Sequence, residues 1–128
     1  MGHKYLMDSN VVIDYLGNKL PPAATTFIDD LVPVVSVVSR IEILGWLGIT
    51  QKQSDKLSLF INNAFVYPLD EPIILKTIEL RQQFKIKTPD AIIAATALIN
   101  NHTLLSHNSK DFKQIPGLVL VDAFALKS

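Results

Sequence analysis

The sequence predicts a single α/β domain built on a parallel β-sheet, and three observations indicate this fold class. Strand-like segments alternate with helical segments along the chain. The strand-like segments are continuous apolar runs, which is typical of parallel strands covered on both faces. The chain has 128 residues, of which 48% are hydrophobic, and this suits one domain with a substantial core. We therefore expect one domain over residues 1–128.

The first predicted elements are a strand and two helices. The apolar residues 5–7 form a short strand that ends at Asp8. Apolar residues then recur at helical spacing over residues 9–16. A Pro-Pro pair at positions 21 and 22 opens a second helix that runs to about residue 31.

A second strand and two more helices follow. Residues 33–38 are rich in β-branched side chains and begin with proline, which indicates a strand. Residues 39 to about 49 and 53–62 each place apolar side chains on one face, which indicates two helices.

The second half of the chain continues the alternation. It contains a short strand at 64–69, an amphipathic helix at 72–84 and an almost wholly apolar helix at 89–100, which must be buried on most sides. The last two strands are expected at 103–106 and 118–121.

Composition excludes several classes of protein. The chain has no cysteine, so disulfides and thiolate zinc sites are impossible, and a reducing cytoplasm is the expected location. No signal peptide is recognisable, and the apolar runs are shorter than the ~20 residues of a membrane span. His3, His102 and His107 do not form a spaced ligand set, and there is neither a glycine-rich phosphate loop nor a nucleophile elbow.

Zero net charge argues against a broad basic face for nucleic acid. Any contact with nucleic acid must come from a local group of positive residues. For each of these residues taken alone, a place at a solvated helix end is the simpler explanation. The candidates are Arg81, Lys85, Lys87, His107, Lys110 and Lys113.

Four acidic residues occupy similar local positions, each at the end of a strand or in the first turn of a helix. They are Asp8, Glu42, Asp90 and Asp111. The carboxyl ends of parallel strands and the helix starts that follow them share one edge of the sheet, where ligands bind. We therefore expect Asp8, Glu42 and Asp111 to converge there, joined by Asp90 if its helix begins at the same edge.

Each acid also has a purely structural explanation as a helix cap or a partner of the helix dipole. Ser39-x-x-Glu42 reads as a capping box, and Asn108-x-x-Asp111 is similar. Thr88 could cap the helix that carries Asp90. Taken together, however, adjacent carboxylates repel by about 4 kcal/mol per pair at an effective dielectric near 20, so a cluster needs protons or a cation. Oxygen ligands of this kind suit Mg²⁺ or Mn²⁺, which can promote phosphodiester hydrolysis.

The same residues resemble a known family. The pieces Asp8-Ser9-Asn10, Ser36-x-x-Ser39-x-x-Glu42, Pro89-Asp90-Ala-Ile-Ile-Ala-Ala and Asn108-x-x-Asp111-Phe are similar, in order and spacing, to those of PIN-domain nucleases, and in particular to VapC-type toxins. The resemblance implies a three-layer α/β/α domain with a central parallel sheet of about five strands. It also implies a Mg²⁺-dependent endoribonuclease that forms homodimers and is silenced by a cognate antitoxin.

The resemblance further implies roles for individual residues. Asp8, Glu42, Asp90 and Asp111 would bind the metal, and the residues that orient them would be Ser9, Asn10, Ser39 and Asn108. Three alternatives stay open: a non-catalytic PIN-like RNA-binding or scaffolding module, a DNA nuclease that uses the same site, and an interaction domain whose acids are only caps. The apolar residues between Trp46 and Ile61 fit either the core or an interface.

Overall fold

The computed structural model describes residues 4–126, so His3 and both ends of the predicted domain lie outside it. Five short strands alternate with helices, as the sequence predicts. The strands are β1 (Tyr5–Met7), β2 (Val34–Ser36), β3 (Phe65–Tyr67), β4 (Thr103–Leu105) and β5 (Leu120–Val121). The helices are α1 (Ser9–Leu16), α2 (Pro22–Asp29), α3 (Val37–Leu44), α4 (Gln51–Asn62), α5 (Glu71–Gln83), α6 (Thr88–Ile99) and α7 (Ser109–Phe112), and a 3₁₀ helix covers Ala123–Ala125.

All strand pairs are parallel, but the five strands do not form one continuous ladder. β1 pairs with β4, with Leu6 opposite Leu104, and β4 pairs with β5. β2 pairs separately with β3 and lies beside β1. The expected central sheet of about five strands is therefore a three-stranded and a two-stranded sheet among the described residues. Strands of two or three residues offer few ladder bonds, so side-by-side packing here does not require a shared ladder.

The boundary between β2 and α3 differs from the prediction. The strand ends at Ser36, whose hydroxyl accepts a hydrogen bond from the backbone N–H of Val38 at 3.0 Å and caps α3. The helix therefore begins at Val37, inside the run predicted as strand. It ends at Leu44, and Gly45 is its C-cap, where a Cβ would lie 2.7 Å from the Ile41 carbonyl oxygen and glycine is therefore needed. The predicted continuation to residue 49 is wrong.

Two short helices are not among the predicted elements, although Asn108-x-x-Asp111 indicates a possible helix cap. Helix α7 begins after a turn at residues 106–108 that follows β4, and a 3₁₀ helix follows β5. Asp122 caps the 3₁₀ helix, because its Oδ1 accepts the backbone N–H of Phe124 at 2.9 Å. Both helices lie just after the carboxyl end of a strand.

The core has two halves, one on each face of the strands. Consecutive residues of a strand point to opposite faces, so Leu6 packs in one half and Met7 in the other. Helices α5 and α6 cover the first half, and α6 is buried along most of its length, as predicted. Helices α1, α2, α3 and α4 contribute to the second half. The arrangement confirms the predicted three layers.

The apolar region between Trp46 and Ile61 divides between core and surface. Leu57 and Ile61 are buried, with 4% and 3% of their surface exposed. Leu47 is 95% exposed and Leu59 is 67% exposed. One face of α4 therefore belongs to the core, whereas the turn before it presents apolar side chains to solvent. Among residues 4–126, no helix has the length and apolar character needed to cross a membrane.

Candidate metal centre

Polar side chains meet at the carboxyl edge of the strands. Asp8 follows β1, Ser36 ends β2, and Ser106 follows β4. Asp8 is also the N-cap of α1, so the structural explanation for it holds alongside any role in a site. Because β1 and β4 are neighbours in register, Asp8 and Ser106 end adjacent strands and lie within reach of each other.

Asp8 is the most buried of the four acids, with only 6% of its surface exposed. Its Oδ1 accepts the backbone N–H of Ser9 at 2.8 Å, and its Oδ2 accepts the hydroxyl of Ser106 at 2.7 Å. Burial raises the pKa of Asp8, the two hydrogen bonds lower it, and the negative charge of Glu42 raises it further. The two hydrogen bonds therefore fix the orientation of the carboxylate, but no cationic side chain contributes to its pKa.

Glu42 reaches the site from α3 through a pair of serines. Ser9 Oγ lies 2.6 Å from Glu42 Oε1 and 2.9 Å from Ser39 Oγ. Glu42 is exposed at its outer side, whereas both serines are buried. Since α3 begins at Val37, Glu42 is not in the first turn of its helix, and the predicted capping box with Ser39 is wrong. The two serines instead join α1 to α3 and orient Glu42.

The pKa of Asp90 depends on the charges of the other three acids. It lies in the first turn of α6, as predicted, although Lys87 and not Thr88 occupies the cap position. Burial first, and then the charges of Asp8, Asp111 and Glu42, together raise the pKa of Asp90 to about 6. Lys87 opposes this rise. The start of α6 therefore lies at the same edge as the strand ends.

Asp111 is held by the turn that follows β4. Asn108 Nδ2 donates to Asp111 Oδ2 at 3.0 Å, and the backbone N–H of Asn108 donates to Ser106 Oγ at 2.9 Å. Asn108 occupies the cap position of α7 without a side-chain capping bond, so its amide serves Asp111 and not the helix end. A chain of contacts thus runs from Asp111 through Asn108 and Ser106 to Asp8.

Asp8, Glu42 and Asp90 line an open cavity of about 360 Å³, whereas Asp111 lies outside its lining. Its lining residues are Asp8, Ser9, Asn10, Ile13, Glu42, Trp46, Asp90 and Asn108. Within the described part of the chain, no three acidic or histidine side chains stand close enough to ligate one ion together. Mg²⁺ is usually held by one or two carboxylates and keeps several waters, so this spacing suits a partly hydrated Mg²⁺. The donor set, all oxygen and electrostatically coupled, fits such an ion.

The positive candidates lie on the segments around α6 and α7. Lys85, Lys87 and Lys110 are exposed. Arg81 is also exposed, but its Nε donates to the carbonyl of Ile86 at 3.3 Å, so it supports the turn that carries the lysines. His107 is exposed and turns toward Asp122, with Nδ1 3.2 Å from Oδ1.

Ser106 is a contact residue that sequence reasoning missed. It is fully buried, and it joins Asp8 to the turn that carries Asp111. The sequence did contain a signal for Ser106, because it is the polar last residue of the apolar strand predicted at residues 103–106. Serine is common at strand ends, so the signal had little specificity by itself.

Comparison with known proteins places the chain in a family. Residues 5–118 match the PIN domain family. The chain is 29% identical to Ribonuclease VapC1 of Methanocaldococcus jannaschii, over 93% of this chain and 88% of the relative. It is 26% identical to Ribonuclease VapC2 of Rickettsia felis, over 91% of this chain and 95% of the relative.

A solved structure agrees with the sequence matches. The fold superposes on a chain of a toxin–antitoxin complex from Klebsiella pneumoniae with a TM-score of 0.78 and 26% identity, over 94% of this chain and 98% of that one. The resemblance to VapC-type proteins is confirmed, and the chain belongs to the PIN domain family.

Proposed function

We propose that this protein is a Mg²⁺-dependent endoribonuclease and the toxin of a toxin–antitoxin pair. The observation that carries the proposal is that Asp8, Glu42 and Asp90 line one open cavity, and the raised pKa of Asp90 supports it because its causes include the charges of Asp8, Asp111 and Glu42. Four acids that repel one another need a cation to offset their charge, and a cation at such a site can promote phosphodiester hydrolysis. The names of the relatives, which are ribonucleases, favour RNA as the substrate.

In this proposal Asp8, Glu42, Asp90 and Asp111 hold one or two Mg²⁺ ions, in part through the waters that Mg²⁺ keeps, and Mn²⁺ could substitute. The bound ion would activate a water and offset negative charge on the phosphodiester. The protein's own contribution is orientation. Ser9 contacts Glu42 and is itself held by Ser39, Asn108 holds Asp111, and Asn10 lines the cavity beside them.

Proton transfer and substrate positioning fall to separate groups. One of the four acids would take a proton from the attacking water. Lys85, Lys87 and Lys110 project from the turn before α6 and from α7 and would contact the RNA backbone as point charges. With zero net charge overall, these local lysines are the proposed substrate contacts.

We also propose a cognate antitoxin as the partner. The similar structure from Klebsiella pneumoniae is a toxin–antitoxin complex. In this chain Ile13 and Trp46 line both the acidic cavity and an adjoining groove. Leu47 beside them is almost fully exposed, which is typical of a surface that a protein partner covers. A homodimer is a further prediction, which sedimentation of the purified chain tests.

The first experiment is cleavage of total RNA by the purified protein with Mg²⁺, and with EDTA as the metal-free control. We expect discrete fragments that require Mg²⁺. Asp8→Asn and Asp90→Asn should each abolish cleavage while the far-ultraviolet circular dichroism stays unchanged. Asp55→Asn, an exposed acid on α4, is the matched control and should cleave like the wild type.

The alternatives predict different results. A non-catalytic module would bind RNA without producing fragments under any metal. A DNA nuclease would cut single-stranded DNA of the same sequence at least as fast as RNA. An interaction domain whose acids are only caps would show no Mg²⁺-dependent stabilisation. Full activity in Asp8→Asn or Asp90→Asn would refute the assignment of the acids.

A further inference from the structure

We propose that His107 determines the preference for RNA, by accepting a hydrogen bond from a ribose 2′-hydroxyl beside the cleaved bond. This inference rests on the ribonuclease activity proposed above. It changes the expected role of His107, which the sequence suggests as a general RNA contact. Three features of the structure carry it: the position of the residue, the two contacts that fix its ring, and the protonation that those contacts impose.

His107 lies between two residues that contact site carboxylates. Ser106 donates to Asp8, and Asn108 donates to Asp111. Neighbouring Cα atoms are about 3.8 Å apart, so the backbone of His107 is held at the border of the acidic cavity. Its side chain is 54% exposed. Asn108 lines the acidic cavity and His107 does not, so in this proposal the nucleotide on one side of the cleaved bond leaves the cavity past the exposed side chain of His107.

Two contacts fix the imidazole ring. Nδ1 lies 3.2 Å from Asp122 Oδ1, and the ring centroid lies 4.0 Å from that of Phe124. Asp122 is itself held, because the same oxygen accepts the backbone N–H of Phe124 at 2.9 Å. The 3₁₀ helix after β5 and its cap residue thus supply an aromatic contact and a hydrogen-bond acceptor. The ring is oriented before any substrate arrives, which limits the entropy lost on binding.

The contact with Asp122 decides which ring nitrogen carries the proton. An ionised carboxylate has no proton to donate, so Nδ1 is the donor in this pair. In the neutral imidazole, Nε2 then carries a lone pair and is an acceptor. Phosphate oxygens are acceptors too, and the carboxylate of Asp122 would repel them. A ribose 2′-hydroxyl can donate, and DNA lacks this group.

The test uses the RNA site mapped by the total-RNA experiment. A short RNA with this sequence is synthesised in a series in which one ribose at a time is replaced by 2′-deoxyribose. Values of kcat/KM are measured at one fixed pH. At one position next to the cleaved bond, we expect deoxy substitution to lower kcat/KM of the wild type about 2- to 12-fold, as expected for one neutral hydrogen bond.

Two variants separate the hydroxyl contact from packing. His107→Phe keeps an aromatic ring against Phe124 but has no acceptor, so it should cleave the all-RNA substrate more slowly and be insensitive to the deoxy position. His107→Gln can place an amide oxygen near the position of Nε2 and should restore part of the sensitivity. Thermal unfolding of both variants establishes that they fold.

Each other outcome would overturn the inference in a distinct way. If the wild type and His107→Phe are equally sensitive at every ribose, His107 does not read the hydroxyl, and the ribonuclease proposal survives. The His107→Phe substitution could instead lower kcat/KM equally for the RNA and the deoxy-substituted substrates, and lower the salt dependence of binding by the amount expected for one phosphate contact. In that case His107 contacts phosphate. If the wild-type protein cleaves no RNA, the proposed function fails and the inference fails with it.

Discussion

Replacing Asp90 with asparagine should make the metal-free protein more stable at neutral pH, although it should abolish cleavage. The reason is that Asp90 must carry a negative charge, in a half-buried position, close to three other acids. Asparagine has nearly the same shape and removes that charge. A cluster of carboxylates that serves to bind a metal is expected to lower the stability of the protein when the metal is absent.

The magnitude follows from the pKa. Asp90 has a pKa of about 6 against an ordinary value of 3.8. Each pKa unit corresponds to about 1.4 kcal/mol, which gives a ceiling of about 3 kcal/mol. Because the carboxylate is only half-buried, solvent screens much of this, and we expect about 1 kcal/mol. For a chain of this size, that corresponds to a rise in Tm of about 3–5 °C.

The pH dependence gives the prediction its sign. Since the pKa of Asp90 is raised in the folded protein, ionising it favours the unfolded state. The cost is small below about pH 4, grows as the pH rises from about 4 to about 6 and is complete above about pH 7, because the unfolded chain ionises at a lower pH than the folded one. The advantage of Asp90→Asn should therefore be present in full at pH 7.5 and be small at pH 4.

The assay is urea unfolding of the wild type and Asp90→Asn in EDTA at both pH values. Asp55→Asn is the control, because Asp55 is exposed on α4 and outside the cluster, and its stability should match that of the wild type. An Asp90→Asn protein that is no more stable than the wild type at pH 7.5 would refute the reasoning. An advantage of the same size at pH 4 would refute it equally, since the charge would not be its cause.

Four further predictions concern the metal, the support of the site and the core. Mg²⁺ at about 100 times its Kd should raise the free energy of unfolding of the wild type by about 2.7 kcal/mol, and Asp8→Asn should lose most of this gain in a thermal shift assay. Ser106→Ala removes a hydrogen-bond donor from the buried carboxylate of Asp8, so the free energy of unfolding in urea should fall by about 1–3 kcal/mol. A Mg²⁺ titration of this variant should show weaker binding. If both values are unchanged, Ser106 does not support the site. Thr50→Ala removes the capping box of α4 and should cost about 1 kcal/mol in urea unfolding without changing cleavage. Leu57→Ala should cost about 2–5 kcal/mol, whereas Leu47→Ser should change the stability of the isolated chain by less than about 0.5 kcal/mol, and similar losses in the two would contradict the division between core and surface.

The sequence alone was sufficient for the fold class, for most elements and for the candidate acids. Strands β1 and β4 and helix α6 are apolar along nearly their whole length, and such runs have few alternatives in a parallel α/β domain. Asp8 and Asp90 adjoin such runs, so their place at an element end is a local property of the sequence. The motifs around them also identified the family, which the match over residues 5–118 confirmed.

The start of α3 depended on a competition that local pattern does not resolve. Residues 34–38 have a high preference for strand, but the Ser36 hydroxyl caps a helix that begins one residue later. The free energy of packing α3 against α1 and α4 outweighs the strand preference of two valines. The consequence for the site is that Glu42 approaches from within a helix, through Ser9 and Ser39.

Only the tertiary structure decided which polar residues support the site. Ser106 contacts Asp8 across 98 positions of sequence, and His107 contacts Asp122 across 15. Such contacts depend on strand order and register, since β1, β4 and β5 are brought side by side by folding and not by sequence proximity. Apolar pattern and turn chemistry are local and can be read along the chain. The partners of a buried carboxylate are set by three-dimensional neighbours, and the fold must be known before they can be named.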